Sequence, residues 1–248
     1  MSELEHSHEP DEVARRISGP TRHNYLADFV YGAIDGNVTT FAVVSGVAGA
    51  GLGPEIIVVL GLANLVGDGF SMAASNFLGT RTDQQLLQKA RQMEARHIEA
   101  DPEGEREEIR QIYASKGFAG RLLEEIVDVI TSDRKRWIDT MLKDEFGLAL
   151  HTPSALHAAT VTFFAFLLIG FIPLLSFIAQ MVYPFPISWA YLSSAVLAGI
   201  GFFLVGAAKS WFVEQKWHIS GLETLAVGGT AAALAYVIGA ALGHVIPT

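Results

Sequence analysis

The sequence predicts an all-α membrane protein with five transmembrane helices per subunit and a helical cytoplasmic domain between spans two and three. All 17 lysines and arginines lie in three stretches, residues 15–22, 81–143 and 209–216, and long apolar segments separate these stretches. Cytoplasmic flanks of membrane spans collect lysine and arginine, whereas a soluble protein distributes them over its whole surface. The three basic stretches are therefore expected on the cytoplasmic face of one membrane.

Five apolar segments are each near the ~20 residues that cross a hydrocarbon core. They cover residues 26–49, 56–78, 156–180, 188–208 and 222–246. The predicted organisation is a cytoplasmic arm (1–22), spans one and two (23–80), a cytoplasmic domain (81–152) and spans three to five (153–248). With five spans the N-terminus is cytoplasmic and the C-terminus lies outside. The first residues lack a basic region followed by an apolar one, so no cleaved signal peptide is expected.

The composition limits the ligands and partners that this chain can use. The formal net charge is −9, and the acidity argues against nucleic acid or an anionic lipid surface as the principal partner. The chain has no cysteine, which excludes disulfides and thiolate metal sites. A metal ion would have to be held by carboxylate, imidazole, thioether, amide or water.

The predicted cytoplasmic domain is rich in charged residues and is interrupted once. Pro102 and Gly104 are helix breakers, so a helix continuing from the second span is expected to end there and fold back. Further helices are predicted over residues 105–114, 119–130 and 134–148.

Residue spacings in this domain indicate a metal site. Two pairs of residues, Glu94 with His97 and Glu105 with Glu108, are three apart, and each pair shares one helix face. Met141 and Glu145, four apart, form a third pair. Oxygen and nitrogen ligands with one soft sulfur favour a divalent transition metal over Mg²⁺ or Ca²⁺. The alternative is an ordinary solvated face of amphipathic helices.

Polar residues also recur within the first two spans. Asp28 and Asp35 are seven residues apart on the first span, and Asn64, Asp68 and Met72 follow at four-residue intervals on the second. A charged side chain at mid-membrane costs ~2.5–3.5 kcal/mol on insertion scales, so such residues usually mark an ion or proton pathway. The alternative is that each aspartate only forms hydrogen bonds between helices.

Glycines accompany the intramembrane acids. Gly32 and Gly36 bracket Asp35 with the spacing G-x-x-x-G, and Gly67 and Gly69 flank Asp68. This pattern permits close approach of helices in lipid, here predicted between the first two spans or between two subunits. Since five spans are few to enclose a pore, a symmetric homodimer is expected.

Four segments together resemble the vacuolar iron transporter family, in a bacterial type, over residues 22–248. Residues 28–36 resemble its D-x6-D-G signature, and Ser71-Met72 matches its pore methionine. Residues 94–108 keep the acidic spacing E-x2-E-x7-E-x2-E, with proline between the pairs. Residues 137–145 resemble its closing segment W-[LI]-D-x-M-M-x-x-E.

The resemblance implies a transporter rather than an enzyme. It implies a dimer of five-helix subunits with the pore at their interface, and proton-coupled export of Fe²⁺ from the cytosol across, in a bacterium, the inner membrane. Asp35 and Met72 would lie at the ion site of the pore, with Asp28 near the cytoplasmic mouth. The implied cytoplasmic ligands are Glu94, Glu105, Glu108, Met141 and Glu145.

The sequence departs from the family pattern at three positions. His97 replaces a glutamate, Leu142 replaces a second methionine, and Asn64 replaces a glutamate of the second span. A neutral imidazole is a good transition-metal ligand, so His97 would make metal affinity fall with decreasing pH. Asn64 cannot titrate, which leaves Asp68 as the candidate for carrying protons.

Other functions and substrates remain open from the sequence. Glu94-x-x-His97 has the spacing of di-iron bundles, so a membrane-anchored ferroxidase is one alternative. A metal-sensing or scaffold membrane protein without flux is another. Mn²⁺, Co²⁺ and Zn²⁺ use the same ligands as Fe²⁺, which makes a manganese or broad divalent-metal exporter an alternative substrate assignment. The arm with His6 and His8 could bind metal loosely or be an ordinary tail.

Overall fold

The computed structural model describes residues 8–19, 24–212 and 215–243, and all regular structure in this part of the chain is helical. His6, in the N-terminal arm, lies outside the described residues. The helices are α1 Pro10–Ser18, α2 Leu26–Gly49, α3 Pro54–Ala100, α4 Pro102–Ser115, α5 Gly120–Thr131, α6 Arg134–Asp144, α7 Ala155–Gly170, α8 Leu175–Val182, α9 Ile187–Lys209 and α10 Trp217–Gly243.

Four helical segments of the described chain are long and apolar enough to cross a membrane. They are α3, the segment Ala155–Val182 that contains α7 and α8, α9, and α10. The chain is therefore an integral membrane protein with an all-helical fold. Helix α2 has 24 residues, which is also sufficient in length, but Asp28, Asp35 and Asn37 make it less apolar. It packs against α3, α7, α9 and α10, and of these three polar residues Asn37 is fully buried whereas Asp28 and Asp35 are partly buried.

Two glycines of α2 let it approach the backbone of α7. A Cβ atom built on Gly36 would lie 2.4 Å from the carbonyl oxygen of Phe166, and one on Gly32 would lie 2.3 Å from that of Thr162. The glycine spacing correctly predicts a close helix contact. The predicted partner is wrong, because Gly32 and Gly36 pack against α7 in the third span rather than against the second span. Gly67 has open space beside it.

Substituting Gly36 with alanine is expected to destabilise the bundle by about 1–3 kcal/mol, the usual cost of overpacking a well-packed interior. The added methyl meets the backbone of α7, which cannot rotate away as a side chain could. The matched control is Gly229→Ala in α10, where an added Cβ meets nothing within 4 Å. Thermal unfolding in detergent should show a lower Tm for Gly36→Ala only. Equal Tm values for the two variants would contradict this packing.

The predicted third span contains a break. Helix α7 ends at Gly170, a 3₁₀ turn covers Ile172–Leu174, and α8 begins at Leu175. Pro173 causes the interruption because it has no N–H to continue the helix. The hydroxyl of Ser194 on α9 donates a hydrogen bond of 2.7 Å to the carbonyl oxygen of Pro173, so the break is tied to the neighbouring helix.

Helix α3 is unbroken for 47 residues and is about 70 Å long. This length exceeds a membrane span by more than twofold, so its second half projects beyond the bilayer. It ends at Ala100, and Pro102 begins α4, as the sequence predicts. The side chain of Asp101 caps α4 by accepting a hydrogen bond of 3.0 Å from the backbone nitrogen of Gly104.

Helices α4, α5 and α6 pack on the projecting end of α3 around their own hydrophobic core. Buried residues of this core are Ile109, Leu123, Val127, Ile130, Trp137 and Met141. Helix α6 ends at Asp144 rather than at the predicted residue 148, and the chain then turns at Gly147, whose φ of 65° favours glycine. The packing of α4–α6 on one end of α3 gives the site described below its shape.

Candidate functional site

Acidic side chains from three helices meet where α4–α6 pack on α3. Ligand atoms of Glu94, His97 and Glu105 all lie within 4.8 Å of one another. The Nδ1 atom of His97 is 3.3 Å from an oxygen of Glu105 and 3.9 Å from an oxygen of Glu94. Glu108 and Glu145 are close enough to repel these carboxylates. These five residues form the interhelical cluster.

Two members of the interhelical cluster are buried without sufficient hydrogen-bond partners. Glu94 is 2% exposed and Glu105 is 6% exposed. The Oε2 atom of each has no hydrogen-bond partner among the described residues. A buried carboxylate oxygen without a partner is costly, and such groups usually have a cation, a proton or a water as partner. The histidine is 52% exposed and closes the solvent side of the cluster.

The electrostatics of the interhelical cluster favour uptake of a cation or of protons. Burial, followed by repulsion from Glu105, Glu145 and Glu108, raises the pKa of Glu94 to about 7. Burial also raises the pKa values of Glu105 and Glu145, with repulsion from Glu108 as the next cause in each case. The carboxyl groups are thus crowded together with His97 as the one basic side chain that lowers the pKa values of Glu105 and Glu145. A divalent ion would supply positive charge at this position.

Surface acids on the same helices are neutralised differently. Arg110 forms ion pairs with Glu124 at 2.7 Å and with Glu107, Arg106 pairs with Asp128, and Arg134 pairs with Glu99. Within the described part of the chain, no arginine or lysine lies within 4.0 Å of a glutamate of the interhelical cluster. A solvated helix face therefore describes the arginine-paired acids but not the buried Glu94 and Glu105.

Met141 lies in the hydrophobic core of the α4–α6 domain and is 0% exposed. Its described packing partners are apolar, including Ile109, Val127 and Trp137. Leu142, at the position of the second family methionine, is also fully buried. Packing accounts for both side chains in this structure, and the assignment of Met141 as a metal ligand stays a prediction.

The raised pKa of Glu94 gives a pH dependence with a defined sign. The folded metal-free protein binds a proton at Glu94 up to about pH 7, whereas the unfolded chain releases it near its ordinary value of 4.5. Hence the folded state holds more protons between these values, and the free energy of unfolding falls as pH rises from about 4.5 to 7.

We expect protonation of Glu94 to contribute at most on the order of 3 kcal/mol to the free energy of unfolding. It can be measured as the Tm of chelator-treated wild-type protein relative to Glu94→Gln between pH 5 and pH 8. The wild type should lose stability relative to the variant as pH rises. Parallel Tm profiles would show that Glu94 titrates normally.

A second group of polar residues lines a groove along the membrane half of α3. This groove has a volume of about 580 Å³. Asp35 enters it from α2 and meets Asp68 and Met72 of α3, so the structure brings together three residues that the sequence places on one polar path. The lining residues are Tyr31, Asp35, Asp68, Ser71, Met72, Ser75, Asn76, Gly79, Thr80 and Asp83.

Asp28 and Asn64 do not line the groove. The carboxylate of Asp28 accepts a hydrogen bond of 2.8 Å from Nδ2 of Asn76, and this amide also contacts the hydroxyl of Thr162 at 2.7 Å. Asp28 is thus held at the junction of α2, α3 and α7. The Nδ2 atom of Asn64 is buried and has no hydrogen-bond partner within the described residues. Pore roles for Asp28 and Asn64 stay predictions.

The sequence also predicts groove residues beyond the stripe of Asn64, Asp68 and Met72. The four-residue intervals from Asn64 to Asp68 and Met72 continue without interruption to Asn76 and Thr80. The last two residues line the groove with Asp68 and Met72. Extending the polar stripe by two turns therefore identifies the residues that line the groove at its end nearer the α4–α6 domain.

Comparison of the sequence with known proteins identifies its family. The sequence model of the VIT family matches residues 26–240. A vacuolar iron transporter of Toxoplasma gondii is 30% identical over 248 residues, covering 95% of this chain and 82% of the relative. Vacuolar iron transporter 1 of Arabidopsis thaliana is 28% identical, covering 90% and 88%. A vacuolar iron transporter of Plasmodium berghei is 28% identical, covering 96% and 88%. The chain thus belongs to the VIT family, a family of transporters rather than enzymes.

Proposed function

We propose that this protein exports a divalent transition metal, in the first place Fe²⁺, from the cytoplasm in exchange for protons. The observation that carries the proposal is the buried, arginine-free pair of Glu94 and Glu105 beside His97. Glu94 and His97 lie on the same continuous helix, α3, as Asp68 and Met72 of the groove. The interhelical cluster would collect the metal, and Asp35, Asp68 and Met72 would conduct it through the membrane.

The proposed topology has five spans with the N-terminus in the cytoplasm. Helix α2 serves as the first span because it is long enough and is surrounded by the four apolar helices. The three basic stretches then share one side, which the positive-inside rule assigns to the cytoplasm. The interhelical cluster lies on that side, between the second and third spans, and the C-terminus lies outside. In a bacterium the membrane would be the inner membrane.

A second copy of the chain would complete the groove. Asp68 is exposed to the surroundings of the single chain although it lies within the apolar half of α3. Apolar neighbours on this part of α3 are exposed as well, including Val66 and Phe70 at 60% and 68%. A carboxylate facing lipid is costly, whereas two such faces related by a twofold axis would enclose a polar path. We therefore assign the pore to a homodimer interface.

The assignment of iron as substrate rests on the relatives, whose names specify iron, and on the ligand types. Carboxylate, imidazole and thioether groups bind Fe²⁺, and they also bind Mn²⁺, Co²⁺ and Zn²⁺. A manganese or broad divalent-metal exporter is therefore the second candidate. His97, as a nitrogen ligand in place of a family glutamate, favours the later first-row metals over Mg²⁺ and Ca²⁺ at the interhelical cluster.

Purified protein in liposomes tests this function. With a metal-sensitive dye inside the vesicles and a proton gradient across them, Fe²⁺ should enter at a protein-dependent rate. Addition of Mn²⁺, Co²⁺ or Zn²⁺ in turn should slow Fe²⁺ entry if these ions share the path, whereas Mg²⁺ and Ca²⁺ should not. Metal entry no faster than in protein-free vesicles would refute transport.

A further inference from the structure

The groove contains one carboxylate, Asp83, that neither the ion site nor the interhelical cluster accounts for. It lines the groove with Gly79 and Thr80 at the end nearer the interhelical cluster. Its side chain is exposed, and no basic partner lies within 4.0 Å of it among the described residues. A charged group at the mouth of a groove, without a counter-charge, acts on ions that enter the groove.

The position of Asp83 on α3 is set by helix geometry. Eleven residues separate it from Glu94, which is close to three helical turns, or about 16 Å along the axis, with the two side chains on nearly the same face. Fifteen residues, or about 22 Å, separate it from Asp68. No aspartate, glutamate or histidine occurs between Asp83 and Glu94. On α3 itself, Asp83 is therefore the first acid between the interhelical cluster and the groove, and the acid of α6 that lies beside this stretch, Asp139, is paired with Arg91.

The other charged residues in this part of α3 are basic. Arg81, Lys89 and Arg91 lie in this part of α3, and Asp83 is its one acidic residue between positions 81 and 93. The guanidinium of Arg91 is held by Asp139 at 2.8 Å, and that of Arg81 lies 6.0 Å from the centre of the Phe77 ring. These partners leave the carboxylate of Asp83 unpaired by either arginine. Without Asp83, this stretch of α3 would have no acidic side chain to attract a divalent cation.

We propose that Asp83 is a relay ligand for the divalent cation at the cytoplasmic mouth of the groove, between the interhelical cluster and the Asp35, Asp68 and Met72 site. This inference rests on the proposed transport function. The carboxylate concentrates the cation at the mouth and passes it to the deeper site without holding it tightly. Asp83 therefore increases the rate at which the cation is captured when the metal concentration is low, and it does not affect passage of the cation through the membrane.

The test is the metal-concentration dependence of flux in proteoliposomes, with Mn²⁺ as an oxidation-stable probe beside Fe²⁺. Asp83→Asn should raise the apparent KM about threefold to tenfold, the effect of removing one charge several ångströms from a divalent ion in a solvated mouth. The maximal rate should stay within about twofold of wild type.

Moving the negative charge to a neighbouring position tests whether Asp83 acts as a local ligand or only through the net charge of the protein. Gly79 lines the groove and has open space for a side chain, whereas Thr82 is exposed but does not line the groove. In the Asp83→Asn background, Gly79→Asp should restore the low KM and Thr82→Asp should not, although both restore the same net charge.

An unchanged KM in Asp83→Asn, or equal rescue by both relocated aspartates, would overturn the relay while leaving the proposed function intact. Absence of flux in wild type would overturn both. Size-exclusion profiles of all four proteins establish that the comparison is between folded molecules.

Discussion

Replacement of Asp35 with alanine is expected to reduce metal flux by at least about 100-fold. Asp35 is the acid that α2 contributes to the groove, opposite Asp68 and Met72 of α3. An ion that has lost its hydration needs compensating charge inside the membrane, and a loss of only about 3 kcal/mol of that stabilisation corresponds to a factor of about 100. In a dimer both copies of Asp35 are removed, which increases the effect.

The matched control is Glu55→Ala. Glu55 is an exposed acid in the first turn of α3, at the end of the helix remote from the α4–α6 domain, and it does not line the groove. Initial rates of metal entry into proteoliposomes should be near wild type for this control. Flux of wild-type size in Asp35→Ala would remove the groove from the transport path.

The second large effect is expected at the interhelical cluster. The double variant Glu94→Gln with Glu105→Gln should lower the affinity of the interhelical cluster for Co²⁺ or Zn²⁺ by at least about 100-fold, because it removes the two buried carboxylates of the proposed metal site. Isothermal titration calorimetry on the full-length protein measures this directly. The tight class of binding should disappear, and any weak binding in the groove should remain.

The control for this variant uses the surface acids of the same two helices. Glu99 on α3 pairs with Arg134, and Glu107 on α4 pairs with Arg110. Glu99→Gln with Glu107→Gln makes the same chemical change and should leave tight binding in place. Flux in the Glu94 and Glu105 variant should be slower but measurable, since the groove is unchanged. Equal metal affinity in both double variants would reduce Glu94 and Glu105 to structural residues.

Local spacing was sufficient to predict that Glu94, His97, Glu105 and Glu108 come together. Pro102 and Gly104 stop a helix, and the three-residue spacings place Glu94 with His97 and Glu105 with Glu108 on single faces. When two helices fold back on one another, those faces meet at short range, as the distances from His97 show. Such sites are predictable because the residues involved are close in the sequence.

Features that depend on distant segments were not predictable in the same way. The spacing of Gly32 and Gly36 indicates close helix contact but cannot distinguish α3 from α7 as the partner. Likewise, the spacing of Met141 is compatible both with a metal ligand and with a core residue, and only the fold shows that its described neighbours are apolar. The hydrogen bond from Asn76 to Asp28 joins positions 48 apart in the chain.

The most direct test of metal–proton exchange records metal entry and internal pH in the same proteoliposomes. Metal is supplied on one side, and dyes for metal and for protons are held inside. We expect each rise of internal Fe²⁺ to be accompanied by loss of internal protons, and an imposed proton gradient to accelerate or reverse the metal flux according to its direction. Asp68→Asn, which removes the candidate proton carrier, should uncouple the two signals. Metal entry that is indifferent to the proton gradient in the wild type would contradict exchange, and absence of metal entry would contradict transport itself.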